Sequence, residues 1–458
     1  MSEALQPYYY GIVFIGMLYA FYKAGISKTS FIIILIFWAG LFQYLGNITE
    51  SEVDNFYKIL VVVLAFAFSW KKIFQIKTKY DYRINLIFIL FSISFWITYS
   101  LYGGNIITIL SQYLFKYGLV FIIYHYFKDI EFNVYRGKYV GSVILTVLFI
   151  QVFLSIIKVL FIGINTNIGI YEPIVGSISA GGAGTAVVVP VMALIFYWVF
   201  KNRKFDRKDW FVAISFIIIA FASAKRQPIV FFPLILYLLF SYVQKGINIF
   251  NMAKYLPIVI LLFVVGVKLN PSFNPDNKVW GRFDINYVTD YAFRYYFGVS
   301  EPSEVFSESY DYSYGRGGGL IYYFQPHKLN LHSFEELVFG KGRYEVATSA
   351  HGRFTRTATA GYGIQHGGLM GEAGAMLYSF GYLGTLLMVL LAITIIGKLN
   401  DKRLAVIIIF YYLWDFLFYY NQVIFSNQSA IIVLFIVFYT NSQNYITKSN
   451  TMHAKPIP

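Results

Sequence analysis

Residues 210–240 read WFVAISFIIIAFASAKRQPIVFFPLILYLLF, two apolar runs parted by a seven-residue connection, ASAKRQP (Ala222–Pro228). Lys225 and Arg226 are the only charges in those 31 positions. A soluble helix pair would need a polar face on each run, and neither run has one. Apolar segments of this kind are spans, and the bilayer is their solvent. The whole chain agrees. Of 458 residues, 58% are hydrophobic, 21% aromatic and 13% charged, with a mean hydropathy of +0.58. So few charges cannot cover the surface of a soluble body of this size.

Reading outward at about 20 apolar residues per crossing gives an all-α polytopic protein of about thirteen spans, with a range of 12–14. They lie near 8–23, 29–46, 56–73, 84–103, 107–126, 138–162, 181–200, 209–224, 228–244, 253–270, 367–397, 404–421 and 423–441. Three regions follow: spans 1–10 in residues 1–269, a long connection at 270–366, and spans 11–13 with a tail in 367–458. The start, MSEALQPYYYG, lacks a basic leader and a small-residue cleavage site, so the first run is expected to persist as an anchor. There is no cysteine, which excludes disulfides, thiol nucleophiles and thiolate metal sites.

The formal charge of +14 is distributed rather than clustered, so it is assigned to cytoplasmic loops and not to nucleic acid. Lys23 and Lys28, then Lys71 to Arg83, Lys128 to Lys138, Lys201 to Lys208, Lys245 and Lys254, and Lys398 to Arg403 mark the basic connections. Between them fall acidic or neutral ones: NITESEVDN (Asn47–Asn55), YGGN (Tyr102–Asn105) and GINTNIGIYEPIVGS (Gly163–Ser177). The alternation places the N-terminus outside, the C-terminus inside and the 270–366 loop outside. ASAKRQP breaks the rule, being basic on the outer side. Either the pair snorkels to headgroups, or it is kept there because an anion is bound. The regularity of the other loops favours the anion.

The outer loop carries Arg282, Arg294, Arg353 and Arg356 among its cations, a crowd of tyrosines in its first half, and four of the six histidines, His327, His332, His351 and His366. Mixed charge and interfacial tyrosine are what any headgroup-level loop carries. Arg forks nonetheless suit phosphate oxygens, and Tyr faces suit sugar rings. The histidines lack HExxH or H-x-H spacing, so no transition metal is expected. YGRGGGL (Tyr314–Leu320) and FGKGRYE (Phe339–Glu345) are glycine-rich without being Walker or dinucleotide loops, because the Lys-Ser/Thr ending is missing. Two charges lie within spans, Lys116 in YLFKYG and Asp415 in YLWDFL. Each costs at least about 2.5–3.5 kcal/mol at the bilayer centre on insertion scales, so each faces the bundle interior or a wet cavity. A pair between them and a site role are both open.

SAKRQP before a short span, the Gly-x-Gly of FGKGRY, and IQHGGLMGEAGAMLYSFGYLGTLL (Ile364–Leu387), a histidine ahead of a GxxG helix, together resemble the bacterial O-antigen polymerase and ligase superfamily. The resemblance covers the architecture from roughly Ala180 onward. Gly367 follows His366 where the family commonly has Asn, and Ser379 stands in the place of its Glu. Glu372 is the acid nearest to His366 in sequence.

What the resemblance implies is a GT-C-like fold in a bacterial inner membrane. The activity implied is metal-independent, inverting glycosyl transfer without a cofactor, from an undecaprenyl-pyrophosphate-linked glycan at the periplasmic face. It makes Arg226 the counterpart of the family's pyrophosphate-binding arginine and His366 that of its functional histidine. Lys225 and one of Arg282, Arg294, Arg353 or Arg356 would complete the anion site, and Glu372, Lys116 and Asp415 would be secondary. Implied partners are membrane lipids, a chain-length regulator and a flippase. Polymerisation of O-antigen or another surface polysaccharide is favoured over ligation to lipopolysaccharide core. A lipid-linked-sugar transporter and a non-catalytic envelope subunit are the readings from other classes.

Overall fold

Capping residues start the helices where the sequence turns polar. Ser27 and Ser30 exchange side-chain and backbone bonds before Lys28, and Thr78 and Asp81 do the same before Lys79. Such boxes satisfy amides that the first turn leaves open. The computed structural model describes residues 5–103, 106–162, 177–178, 183–222, 232–239, 256–269, 273–276, 278, 280–297, 324, 331–342, 372–419 and 423–453.

In chain order the helices are α1 (Gln6–Ala24), α2 (Lys28–Phe37), α3 (Ala39–Thr49), α4 (Val53–Ile73), α5 (Lys79–Tyr102) and α6 (Ile106–Gln112). A π-helical segment (Tyr113–Gly118) leads into α7 (Leu119–Phe127) and a 3-10 turn (Lys128–Phe132). Then come α8 (Val134–Ile162), α9 (Ala183–Phe200), α10 (Arg207–Ala222), a helical stretch at 232–239, and α11 (Leu256–Leu269). The long connection contributes α12 (Ile285–Phe297) and α13 (Phe334–Phe339). The chain closes with α14 (Glu372–Gly397), α15 (Lys402–Phe418) and α16 (Asn427–His453). No strand occurs among the described residues.

Among the described residues four helices, α4, α5, α8 and α14, are long and apolar enough to cross a membrane, and the bent pair α2–α3 makes a fifth if it is one span. Their outer faces are apolar: Leu60 and Val63 on α4, and Ile89 and Ile93 on α5, are more than half exposed. Side chains of this size turned outward along a whole helix fit lipid as the solvent.

Hydropathy alone renders several elements too simply. The 29–46 run is bent by 48° at Trp38. The 107–126 run is α6, the π-segment and α7, and the last run extends to His453.

The bend at Trp38 is fully provided for. The carbonyls of Leu35, Ile36 and Phe37 accept bonds from Tyr57 Oη (2.6 Å), Gln428 Nε2 (2.9 Å) and Ser177 Oγ (2.8 Å). Gly40 N–H donates to the Ser177 carbonyl at 2.9 Å, and Gln151 holds Ser177 through two further bonds. Irregular backbone at membrane depth persists only where protein satisfies it. Here protein does so.

Five of the basic connections come together in one layer at one end of the bundle, the one with Lys245 and Lys254 lying outside the described residues. Tyr139 near the start of α8 bonds the end of α1 and Ser27, and Thr29 bonds Tyr126 at the end of α7. Lys72 pairs with Asp129 at 2.6 Å, and Arg203 with Asp401 at 2.6 Å. At its centre Lys398 Nζ lies 3.0 Å from Glu131 and 3.9 Å from Asp81, and Asp81 accepts the Tyr124 hydroxyl at 2.8 Å. Lys128, 2% exposed, donates to the carbonyls of Lys72 and Gln75 at the end of α4, and burial lowers its pKa. The far ends of α5 and α14, where Thr98 and Glu372 lie, are at the opposite face from this layer.

Candidate functional site

On the face opposite the basic layer, the glycine-rich stretch after α13 docks on α14. Ser333 caps α13, taking the Glu336 amide at 3.1 Å, while Glu336 accepts the amides of His332 (2.7 Å) and Ser333 (3.2 Å) and pairs with Lys341 (3.3 Å). Burial works to raise the Glu336 carboxyl, but those two amides and the Lys341 ammonium outweigh it and hold it below the usual carboxylate value. Gly340 ends the helix with φ +74°. Lys341 N–H then donates to the Tyr378 carbonyl at 2.7 Å, and Gly342 N–H to the Ser379 carbonyl at 3.0 Å.

Those two carbonyls are open because α14 is kinked at Gly381, where φ is +62° and ψ −171°. A side chain at Gly340 would place Cβ 2.5 Å from the amide nitrogens of Phe380 and Gly381. Only glycine permits this approach. Thr98 of α5 fixes the loop from the other side, its hydroxyl donating to the Phe339 carbonyl at 2.6 Å. Beneath the kink, the Phe380 ring sits among Phe91, Phe95 and Tyr117, with centroids 5.7–5.8 Å away. The sequence reading took FGKGRY and the GxxG helix as separate motifs, and the structure joins them.

Two carboxylates are buried beside this kinked helix. Glu372, the first residue of α14, is 1% exposed and donates its amide to the Tyr419 carbonyl at 2.6 Å. Asp415 is fully buried one turn before Tyr419, whose amide bonds the Asp415 carbonyl at 2.8 Å. The Tyr412 phenol is within electrostatic reach of both acids. Glu372 and Asp415 are 43 positions apart in the chain, and nothing in their spacing signals that both lie near Tyr412.

Lys116 lies in the π-segment with Nζ 5.2 Å from the Tyr117 ring centroid. Among the described ion pairs none joins Lys116 to Asp415. The Arg282 side chain is exposed and its amide donates to Asp276 at 2.7 Å. Arg294 belongs to α12, but its side chain is outside the described set. Lys225, Arg226, Arg353, Arg356 and His366 lie outside the described residues. The preceding flank is placed: α10 pairs with Lys201 in the basic layer through Asp209 (2.8 Å), then rises about 20 Å to Ala222, three positions before Lys225.

A groove of about 770 Å³ runs along α5 from Asn85 to Ser100, lined by Phe88, Ile89, Ser92, Ile93, Trp96 and Ile97, with Ile73, Phe74, Ile76 and Phe121 opposite. The fifteen residue steps of helix from Asn85 to Ser100 make it about 22 Å long, most of the roughly 30 Å hydrocarbon depth. Its chemistry suits a hydrocarbon or isoprenoid chain. Among the described residues no group of three or more His, Asp or Glu is arranged to hold a metal ion. Thr98, Tyr412 and the kink itself went unnoticed in the sequence. A lone threonine in one apolar run and a glycine in another carry no distinctive signal.

No family model, no curated protein and no solved structure matches this chain.

Proposed function

We propose that the protein is a polytopic membrane glycosyltransferase of about thirteen spans and GT-C-like fold. On this reading it polymerises undecaprenyl-pyrophosphate-linked oligosaccharide repeats at the outer face of a bacterial inner membrane. One observation carries it: the Gly340–Gly342 loop is docked on the Gly381 kink, against a helix that opens on buried Glu372, at the face opposite the basic layer. These are the motifs whose residue types and order resemble the polymerase and ligase superfamily, with a spacing about two residues longer than the family's. The α5 groove supports the reading in a second way, since a lipid-linked donor needs a dry path for its chain.

In the transfer, an acceptor hydroxyl oxygen attacks the anomeric carbon of the donor glycan. The bond from that carbon to the pyrophosphate oxygen breaks, and its electron pair leaves with the pyrophosphate. The growing negative charge is met by Arg226 and Lys225, with one of Arg282, Arg294, Arg353 or Arg356 beside them; preorganised cations of this kind lower the barrier most effectively in a dry site. His366 takes the hydroxyl proton, the part of a positioned general base. A single displacement inverts the anomeric centre and needs no covalent intermediate.

Arg226→Ala tests the assignment. The variant is expected at normal level in the membrane and without polymer, and Arg226→Lys recovers activity only in part because the bidentate fork is lost. Wild-type polymer ladders from Arg226→Ala would remove the anion site.

A further inference from the structure

Helix α8 turns Gln151, Leu154, Ser155 and Lys158 toward the bundle on one face, each no more than 5% exposed. Gln151 is occupied in holding Ser177 at the α2–α3 bend. Lys158 stands two turns farther from the basic layer, about 10 Å along the axis. Its ammonium has no hydrogen bond and no acid within ion-pair distance among the described residues. Its Nζ stands 5.7 Å from the centroid of the Tyr9 ring on α1. Tyr9 is itself completely buried and meets Tyr10 edge-on at 5.1 Å, and Tyr10 stacks on Tyr44 at 3.6 Å.

The other buried lysines described here are provided for. Lys128 has two carbonyls, and Lys398 has Glu131 and the Tyr124 hydroxyl. A tyrosine ring offsets part of the loss of hydration at Lys158, but a buried ammonium demands an opposite charge, or it gives up its proton. A neutral amine at this position would gain nothing over methionine. The lysine lies four residues before Ile162, at the end of α8 away from the basic layer, and lipid phosphates lie at the ends of spans rather than at their middle.

We propose that Lys158, walled by Tyr9, is the cationic half of an anion site at the outer end of the α1–α8 interface, and that its ligand is a phosphate group. The site is separate from the α13–α14 docking and stands whether or not the glycosyltransferase reading does. A phosphate can come from an anionic lipid headgroup or from free phosphate or pyrophosphate.

The experiment measures binding to purified full-length protein in three arms: phosphatidylglycerol in phosphatidylcholine nanodiscs, inorganic phosphate, and inorganic pyrophosphate. Wild-type protein is expected to bind in at least one arm, which names the source. Lys158→Met is expected to bind at least about tenfold more weakly in that arm, and Lys158→Arg to keep most of the affinity. Should Lys158→Met fail to fold, 15N–31P dipolar coupling between lysine Nζ and the bound phosphorus is read in wild type and Lys158→Arg, and one coupling is expected to vanish in the variant. Equal affinity in wild type and Lys158→Met, no binding in any arm, or an unchanged set of couplings would overturn the site.

Discussion

Replacing Gly381 with alanine strikes the contact on which the loop–helix docking depends. Its backbone, φ +62° and ψ −171°, lies in a region essentially reserved for glycine, and another residue there costs about 1–3 kcal/mol. The new Cβ would also sit 2.6 Å from the Gly340 nitrogen, a backbone atom that cannot rotate away. The loop must therefore lift, and the bonds from Lys341 and Gly342 to Tyr378 and Ser379 are lost. At about 0.5–1.5 kcal/mol net for each bond, the docking weakens by about 2–6 kcal/mol in total. Hydrogen exchange at the Lys341 and Gly342 amides reads this directly. The lower bound of about 2 kcal/mol corresponds to exchange about 30-fold faster. Gly397→Ala is the control, because a Cβ there meets nothing within 4 Å. Wild-type exchange at both amides in Gly381→Ala protein would refute the docking argument.

Three further outcomes are expected. Single cysteines placed in this cysteine-free chain should react with an impermeant reagent in intact cells at Ser333 and be shielded at Lys204; the reverse pattern would invert the topology. His366→Ala should slow polymer formation by about two to four orders of magnitude, the usual worth of a positioned acid or base, while EDTA leaves the purified enzyme active. Full activity of that variant, or activity lost to EDTA and restored by a divalent cation, would sink the mechanism. Lys398→Met should lower stability by about 3–5 kcal/mol because it leaves buried Asp81 and half-buried Glu131 without their shared cation. Thermal unfolding in detergent measures it, and adding Glu131→Gln should recover part of the loss.

The sequence made the helices and the charge layer legible, because each depends on local facts. A 20-residue apolar run has few alternatives to a helix, and Lys and Arg at its ends report which ends lie together. Lys72, Arg203 and Lys398 do converge as that alternation requires. The bends were not legible. Trp38 and Gly381 sit in runs of ordinary hydropathy, and what opens the helix there is a partner far along the chain: Gln428 for one, Lys341 and Gly342 for the other. The same holds for the acids. Glu372 was singled out for its nearness to His366 and Asp415 for its depth, and only the packing of α14 on α15 sets both around Tyr412. Lys158 passed unnoticed because a lysine near the end of a span ordinarily snorkels.

The bend at Trp38 also bears on biogenesis. Ser177 is 140 positions from Phe37, and Gln428 is 392 positions from Ile36. When α2 and α3 first enter the bilayer, neither donor has been synthesised, so two carbonyls at the break face hydrocarbon or a chaperone. The nascent chain can relieve them by straightening into one continuous helix. The native bend then gains its last described bond only after translation has delivered α16, so the α2–α3 pair is completed late. A ribosome stalled before Gln428 should hold an N-terminal segment that is inserted yet still unbent.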